Sequence, residues 1–561
     1  MRISARTVLA VALVRALSGA AYDVTVDGHA KCRVLLADQN PVTVTAACEL
    51  TNYVFRLSAV QLKVDVARRE GERYVVLGGK CGTERPDEIC LQVTRSGDLL
   101  VSGEGERGVL YGVYELLDRW GCRFWTPQQT TVPRRTTLSV EDGLNYRYAP
   151  PFSWRQAFGE TTKDFRWSVR NRLNGGYWGC PRIPAEWGGS VWTDVTETWT
   201  RRWLDSKKYF KDHPEWYAWR AEEKKRVNKQ LCATNPEVVS RMIGEIRAYL
   251  AEHPGQRTLS VAANDTDQYC QCKKCAKLAG RHGGNSAHLA VVANAIAENL
   301  ENDYPDLKLV ILAYWTTFPP FRGIALHRNV DVCCAELRDF SSPVTHPKAV
   351  TAVDYRNGLL GWRKLLSGHS MWVWDYYAQF TDFVTAAPQF MPIGENLRFY
   401  AANGVRGVVA QMPWGNCSDW VDLRSWLFGR FAWNPNLDVN QEVDSWINGA
   451  MGRGAPFMKA YLAEILKVYP GHGGAYNTDG SLQDWLVPHP EVGFACLALQ
   501  KKALEATKDD PLAFAAVERQ SAAMIDAFIR VYPKMAEWGS RHGKTLPPRS
   551  ALIDELERIF C

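Results

Sequence analysis

Three carboxylates stand directly after predicted strands in the central part of the chain: Asp265, Glu336 and Asp375. Each occurs where an apolar segment gives way to polar side chains, and the carboxyl ends of parallel strands are where β/α folds gather their reacting groups. Hydrolysis of a glycosidic bond needs one carboxylic acid to protonate the leaving oxygen and a second group that stabilises or attacks the sugar cation. These three residues are therefore the candidate catalytic carboxylates.

Each of these carboxylates also has a structural interpretation. Asp265 could cap the helix or loop that follows it. Glu336 could pair with Arg338, two residues further along the same strand face, although such a pair would also orient a catalytic acid. Asp375 could accept a hydrogen bond from a buried tyrosine. The sequence leaves the catalytic and the structural interpretations open.

The same strand ends carry side chains that could bind a sugar. Aromatic rings pack against the apolar faces of sugars, and the chain has 22 Trp, 22 Tyr and 20 Phe among its 561 residues. Taken singly, these aromatics could equally be ordinary core residues. The candidate substrate-binding residues are Asn264, Tyr314, Trp315, Arg338, Trp374, Tyr376, Gln411 and Trp414.

A β/α barrel would place all of these side chains at one edge of a parallel sheet. From about residue 151, apolar strand candidates alternate with helical stretches, and there are as many candidates as a closed barrel needs. The candidate strands are residues 152–158, 175–178, 209–219, 259–263, 309–314, 330–335, 370–374 and 407–411. The clearest helices between them are 235–253, which opens with the cap-like Asn235 and Pro236, and 286–304, which carries apolar side chains on one face.

The predicted fold is α/β, with several domains, because 561 residues exceed the size at which one hydrophobic core keeps growing. We predict a (β/α)8 TIM-type barrel at residues 150–425. A small α+β domain at 24–145 precedes it, and a helical domain at 426–561 follows it.

Residues 1–21 have the features of an export signal. Arg2 and Arg6 precede an apolar run, and small residues that could form a cleavage site follow it. Arg15 lies inside the run and leaves a frayed or buried N-terminal helix as the alternative. We predict a signal peptide, and with it a secreted or periplasmic protein.

Charged residues are mixed along the chain. The 67 Lys and Arg and 61 Asp and Glu give a formal net charge of +6, without the long basic run typical of nucleic-acid binding. No later segment has the roughly 18 consecutive apolar residues of a membrane helix. We therefore expect a glycan or glycoprotein substrate as the partner, and neither nucleic acid nor a membrane-spanning segment. The oligomeric state is not indicated.

Fifteen cysteines suggest disulfides in an oxidising compartment, with Cys81 and Cys90 as one candidate pair across a short loop. Cys270, Cys272 and Cys275 form a C-x-C-x-x-C motif that could hold a metal. A structural zinc site needs four ligands, and no clear second pair follows, although two histidines are possible completions. These are His282 and His288. We favour a disulfide or loop-shaping role and predict neither a metal nor a cofactor.

Several motifs resemble known glycoside hydrolases. The stretch RGVLYGVYELLDRWGCRFWTP resembles the small α/β domain that precedes the barrel in β-hexosaminidases and α-glucuronidases. SVAANDTDQYCQCKKC, NVDVCCAELRDFSSPVTHP and MWVWDYYAQF, in this order, resemble the bacterial group named domain of unknown function 4838. That group is associated with glycoside hydrolase family 163, endo-β-N-acetylglucosaminidases that act on complex N-glycans. The likeness extends from about Tyr111 through FAWNPNLDVNQEVDSWINGAMG.

The resemblance implies a barrel, a β-N-acetylglucosaminide substrate and catalytic acids among Asp265, Glu336 and Asp375. With such a substrate, the 2-acetamido oxygen can attack the anomeric carbon, so that no protein nucleophile is needed. We assign the acid to Glu336 and the orientation of the acetamide to Asp265 with Asn264; the reverse assignment stays open. The alternatives are an exo-acting hexosaminidase or α-glucuronidase-like enzyme, and a non-catalytic glycan-binding protein.

Overall fold

The computed structural model describes residues 21–176, 179–191, 194–335, 342–378, 382–388, 390–469 and 485–561. The predicted signal peptide, apart from Ala21, lies outside the described residues. By their internal contacts, the described residues form two compact units. The first unit contains residues up to 153 together with 164–174 and 181–190; the second contains 154–163, 175–180 and the chain from 191 onward.

The first unit is a small α+β fold. Its strands are β1 Ala21–Val26, β2 His29–Ala30, β3 Arg33–Leu36, β4 Val64–Asp65, β5 Tyr74–Leu77, β6 Ile89–Val93, β7 Leu99–Gly103, β8 Arg123–Phe124, β9 Thr130–Thr131, β10 Leu138–Glu141 and β11 Asn145–Tyr148. A mixed six-stranded sheet has the order β11-β6-β7-β5-β3-β4, beside a three-stranded sheet β10-β1-β2 and the pair β8-β9. Cys81 and Cys90 form the predicted disulfide.

Three helices complete the first unit: α1 Pro41–Ser58, α2 Gly108–Arg119 and α3 Phe165–Arg170. α1 begins where the side chain of Asn40 accepts a hydrogen bond from the backbone N–H of Val42 at 2.9 Å. α2 buries one apolar face, which includes Val113, Leu116 and Leu117. Gly121 follows at φ 89°, a left-handed conformation that favours glycine after a helix.

The second unit is built on a parallel sheet of six strands. Its strands are β12 Trp154–Phe158, β15 Thr258–Ser260, β16 Lys308–Ala313, β17 Val330–Ala335, β18 Met371–Tyr376 and β19 Val405–Gln411. They follow the order β12-β19-β18-β17-β16-β15, so the first strand pairs with the last. The result is a curled parallel half-barrel, and two isolated parallel bridges, Gly175 with Val191 and Glu197 with Ala262, continue the parallel pattern.

Six of the eight predicted strands match this sheet within a few residues. The prediction of a strand over 209–219 is wrong, because this segment ends a short helix, passes through a 3-10 turn and enters an antiparallel hairpin. The hairpin consists of β13 Tyr217–Arg220 and β14 Lys225–Leu231. Its aromatic residues pack in a local cluster rather than between strand and helix layers. The residue that bridges to Ala262 is instead Glu197.

Helices cover the outer face of the sheet and form the C-terminal region. They are α4 Ser206–Tyr209, α5 Pro236–Glu252, α6 Lys273–His282, α7 Ser286–Leu300, α8 Val350–Leu365, α9 Ile393–Ala402, α10 Val421–Trp433, α11 Val439–Met451, α12 Ala455–Val468, α13 Pro490–Thr507, α14 Pro511–Arg530, α15 Tyr532–Arg541 and α16 Arg549–Phe560. Within the described chain, none of the helices combines the length and the apolar character that crossing a bilayer requires.

Two of the helices show how the sequence fixes their position. α5 begins at the predicted cap, where the Asn235 side chain accepts from the backbone N–H of Glu237 at 3.0 Å. Its buried side chains recur every four residues, from Val238 to Leu250. In α10, Arg424 forms a fully buried ion pair with Asp419 at 2.7 Å, and Asp419 also accepts from Gln520 of α14 at 3.0 Å. This pair ties the C-terminal helices to the loops after the sheet.

Candidate active site

Side chains of the parallel sheet alternate between an inner face and an outer, helix-covered face. The inner-face core contains Trp154 and Phe158 of β12, Val310 and Leu312 of β16, Cys333 of β17 and Val409 of β19. Tyr314, Trp372, Trp374 and Trp414 are partly buried and pack against this core. The inner face is therefore aromatic toward the carboxyl edge of the sheet, where the sequence predicted the candidate substrate-binding residues.

Asn264 lies at this edge, in the loop between β15 and α6, which we call the Asn264 loop. Its hydrogen bonds hold this loop in place. Its side-chain amide donates to the carbonyl of Lys229 at 2.8 Å and also bonds to the Thr200 hydroxyl. Gln230 of the hairpin accepts from the backbone N–H of Asn264 at 3.1 Å and donates to its carbonyl at 2.7 Å. Asn264 is thus bonded to strand β14 and to the helical turn that contains Thr200, and these bonds restrain the backbone next to Asp265.

Asp265, in the loop that follows β15, is exposed. Glu197, a carboxylate that the sequence prediction missed, lies near it. Glu197 forms a parallel bridge with Ala262, and Ala262 belongs to the inner-face core. Because the two residues of such a bridge point to the same face of a sheet, Glu197 points to the inner side. Its side chain is only 20% exposed.

The environment of Glu197 favours a protonated carboxyl group. Burial raises the pKa of Glu197 above its ordinary value, and the negative charge of Asp265 raises it further. A hydrogen bond from its own backbone and the guanidinium of Arg201, 3.5 Å away, act in the opposite direction but do not cancel the burial effect. A carboxyl group of this kind can act as a general acid.

Tyr314 and Trp315 follow β16 in a turn that faces the Asn264 loop. The backbone N–H of Tyr314 donates to the hydroxyl of Thr317 at 3.1 Å, which closes the turn. Trp315 has a φ of 51°, rare for a bulky residue, and is 47% exposed. A small pocket between this turn and the loop is lined by both residues and by Asn264. Residues held in sparsely populated backbone conformations cluster at active sites and ligand-binding sites.

The remaining aromatic candidates lie together along β18 and after β19. Trp374 donates to the side-chain oxygen of Gln411 at 3.3 Å, and its ring lies 6.4 Å from that of Tyr376. Trp414 packs against Phe158, with ring centroids 6.2 Å apart. A second carboxylate missed by the sequence prediction, Glu160, accepts from the backbone N–H of Gly415 beside Trp414 at 3.3 Å.

Asp375 lies on the other face of β18 from Trp374. It is 2% exposed, and its carboxylate accepts from the hydroxyls of Tyr377 at 2.7 Å and Tyr400 at 2.8 Å. The backbone N–H of Tyr376 donates to it at 2.9 Å. The structure thus contains the hydrogen bond to a buried tyrosine that the sequence left open, and it does not bring Asp375 together with Glu197 and Asp265.

Glu336 and Arg338 lie outside the described residues, directly after β17. Their assignment therefore remains a prediction.

Glu197 was missed because its segment, TDVTETWT, has no continuous apolar run. The signal that could have found it is the alternation of Val195, Glu197 and Trp199 with threonines, which is typical of a short extended segment.

The chain was compared with protein-family models, curated proteins and solved structures. The family model described as Domain of unknown function (DUF4838) matches residues 124–463, and no curated protein matches the chain. Among solved structures, a GH115 4-O-methyl-α-glucuronidase with specificity for decorated arabinogalactans has a TM-score of 0.59 at 13% identity, covering 94% of this chain and 76% of that one.

A family 89 glycoside hydrolase from Clostridium perfringens, solved in complex with PUGNAc, is also similar. It has a TM-score of 0.52 at 12% identity, and the match covers 93% of this chain and 65% of that one. At such low identities these likenesses show the fold alone, which is similar to that of these glycoside hydrolases. The family match spans more than half of the chain and includes the whole parallel sheet, and the chain belongs to the DUF4838 family.

Proposed function

We propose that the chain is a glycoside hydrolase, and more narrowly an endo-β-N-acetylglucosaminidase that cleaves N-glycans. The observation that carries the proposal is the largely buried Glu197 carboxyl group beside Asp265, on the inner side of a curled parallel sheet and at its carboxyl edge. The glycosidase fold of the similar structures supports the reaction class, by analogy. The sequence resemblance to glycoside hydrolase family 163 supports the narrower substrate.

The proposal includes a complete (β/α)8 barrel. The segments around Gly175 and Glu197, each held by a parallel bridge, would be its second and third strands. Eight parallel strands would place the Asn264 loop, the Trp315 turn and the end of β18 around one mouth. Substrate would bind there, with sugar rings against the partly exposed aromatics.

In the proposed mechanism, a carboxylic acid protonates the glycosidic oxygen while the substrate acetamide attacks the anomeric carbon. Two residues compete for the role of acid. Glu336 is the candidate from the sequence, and Glu197 is the candidate whose environment raises its pKa. Asp265, exposed beside Glu197, would orient the acetamide, and Asn264 would fix the loop that carries it.

A second candidate function is an α-glucuronidase-like activity, favoured by the similarity to the GH115 enzyme. Mass spectrometry of a complex-type N-glycoprotein after incubation distinguishes the two. For an endo-β-N-acetylglucosaminidase, we expect release of an intact oligosaccharide that leaves a single N-acetylglucosamine on asparagine. Release of monosaccharides, or of uronic acid from a decorated polysaccharide with the glycoprotein unchanged, would contradict it. Tight binding without cleavage would indicate a glycan-binding protein.

Replacing Glu197 by glutamine tests the acid assignment. Because the amide cannot donate the catalytic proton, we expect kcat to fall by about 100-fold or more, the scale of lost general-acid catalysis. The matched control is Glu222→Gln, an exposed carboxylate of the hairpin turn, which should leave kcat unchanged. Near-native turnover of Glu197→Gln, with a large loss in Glu336→Gln, would assign the acid to Glu336 instead.

The pH profile tests whether Asp265 acts on Glu197. The acid must be protonated, so the basic limb of kcat/KM follows the pKa of Glu197. The charge of Asp265 raises that pKa, and its removal in Asp265→Asn lowers it. We therefore expect the basic limb of the variant to move to lower pH. An unchanged limb, or a shift to higher pH, would contradict the coupling.

Replacing Trp315 by alanine tests the sugar platform. Loss of one exposed stacking ring should raise KM by about 3- to 10-fold, the range expected for an aromatic contact, with little effect on kcat. Steady-state kinetics of Phe560→Ala, which removes an exposed ring from the last helix, provides the control. Equal KM values for Trp315→Ala and the wild type would remove Trp315 from the binding site.

Asp375 is expected to position β18 rather than to react. In Asp375→Asn the amide faces hydroxyl donors, so we expect a loss of unfolding free energy of about 1–3 kcal/mol. The kcat of the folded variant should remain within a few-fold of the wild type. Thermal unfolding and kinetics are measured on the same samples. A loss of kcat of about 100-fold with unchanged stability would make Asp375 catalytic.

A further inference from the structure

Four cysteines from two separate parts of the chain meet at the base of the Asn264 loop. Cys270, Cys272 and Cys275 come from the predicted C-x-C-x-x-C motif, and Cys232 comes from the end of the β13–β14 hairpin. Their four sulfur atoms all lie within 4.8 Å of one another. The sequence prediction lacked a fourth ligand for a metal, and Cys232 supplies one.

Two of the sulfur separations equal those of a metal tetrathiolate, and the rest lie within 4.8 Å. The Cys232 sulfur is 3.8 Å from that of Cys272 and 3.9 Å from that of Cys275. In a tetrahedral zinc site with Zn–S bonds of about 2.3 Å, the sulfurs are about 3.8 Å apart. A disulfide needs sulfurs at about 2.05 Å, so any pairing within this cluster would draw two of the four together and away from the others.

The surroundings suit a buried, negatively charged metal centre. Cys232, Cys270 and Cys275 are buried and pack with Ala218 of the hairpin. The backbone N–H of Trp219 donates to the sulfur of Cys270 at 3.3 Å, as is common for metal-bound thiolates.

Two further polar groups face the sulfurs. The guanidinium of Arg226 lies 3.9 Å from the Cys270 sulfur, and the hydroxyl of Thr234 lies 3.2 Å from that of Cys275. A cationic group and hydrogen-bond donors around the thiolates offset part of the charge that four of them bring to one ion.

The two histidines considered from the sequence have other partners. His288 hydrogen-bonds through Nε2 to the backbone carbonyl of Cys275 at 3.1 Å, and this bond stabilises the backbone of the C-x-C-x-x-C motif. His282 hydrogen-bonds through Nδ1 to the carbonyl of Arg322 at 2.6 Å. Neither belongs to the group of candidate ligand atoms, which consists of cysteine sulfurs alone.

We propose that Cys232, Cys270, Cys272 and Cys275 bind one structural Zn²⁺. Binding replaces the thiol protons, which pass to solvent, with four Zn–S bonds, and no oxidant or reductant is needed. All four positions are filled by protein, so the ion has no open position for substrate. Its role is to clamp the hairpin to the segment after Asp265. Gln230, two residues before Cys232, makes the hydrogen bonds that hold Asn264.

Metal analysis of the purified full-length chain, prepared with thiols reduced and Zn²⁺ supplied, tests the proposal. We expect roughly one zinc per chain, and X-ray absorption should show four sulfur neighbours at about 2.3 Å. A chain that retains its fold without zinc would overturn the proposal, whether mass spectrometry finds the four cysteines as free thiols or joined in disulfides. A shell of nitrogen or oxygen atoms would overturn it as well.

Variants separate metal binding from folding. Cys232→Ser should lose the zinc at least 10-fold more readily to a competing chelator than the wild type, while Cys48→Ser, at an exposed free cysteine of the first unit, should not differ. Cys272→His serves as a second variant in case Cys232→Ser fails to fold. Histidine is also a zinc ligand, so this variant can still bind the metal. It should keep the metal with three sulfurs and one nitrogen. Full zinc content with four sulfurs in Cys232→Ser or Cys272→His would contradict the assigned ligands.

Discussion

The pairing of the first and last parallel strands is the constraint on which the second unit depends. β12 and β19 pair from Trp154 with Gly407 to Phe158 with Gln411, although about 250 residues separate them in the chain. Gly407 permits the close approach, since a Cβ there would lie 2.7 Å from the Cβ of Trp154 and 2.8 Å from the Trp372 ring. Because every strand of this sheet is parallel, all of its carboxyl ends lie at one edge, and the loops that could bind a sugar must meet there.

How much of the parallel sheet could be predicted from the sequence depends on how completely each strand is buried. β16 and β17 are apolar runs covered on both faces, so an uninterrupted run of apolar residues was enough to identify them within a few residues. The segment 209–219 is as aromatic as a core strand, but its rings pack in a local hairpin. Glu197 escaped prediction because it is a single bridge residue between threonines, and only tertiary pairing with Ala262 makes it part of the sheet edge.

Contacts between distant segments explain the other differences. Cys232 lies 40 residues before Cys272, outside any spacing that a local motif would reveal. Asp375 follows the alternation of β18 to the outer face, where two tyrosine hydroxyls bind it. The sequence correctly located a carboxylate at that strand end, but the face to which it points depends on the pairing of β18 with its neighbours.

The candidate active site and the proposed metal site share one support. The β13–β14 hairpin holds Asn264 through Gln230 and contributes Cys232 to the thiolate cluster two residues later. A clamp on that hairpin would restrict the loop that carries Asp265, and catalytic groups need such restriction to keep their geometry. The two proposals remain separable, because zinc content is measured without substrate and turnover without reference to the ion.

A crystal structure of the protein with a thiazoline analogue of N-acetylglucosamine tests whether the carboxyl edge of the sheet is the active site. We expect the sugar ring at this edge, against Trp374 or Trp315, with the Glu197 carboxyl group about 3 Å from the glycosidic position. A ring bound far from this edge, or no bound ring at concentrations that saturate known substrate-assisted hexosaminidases, would contradict it.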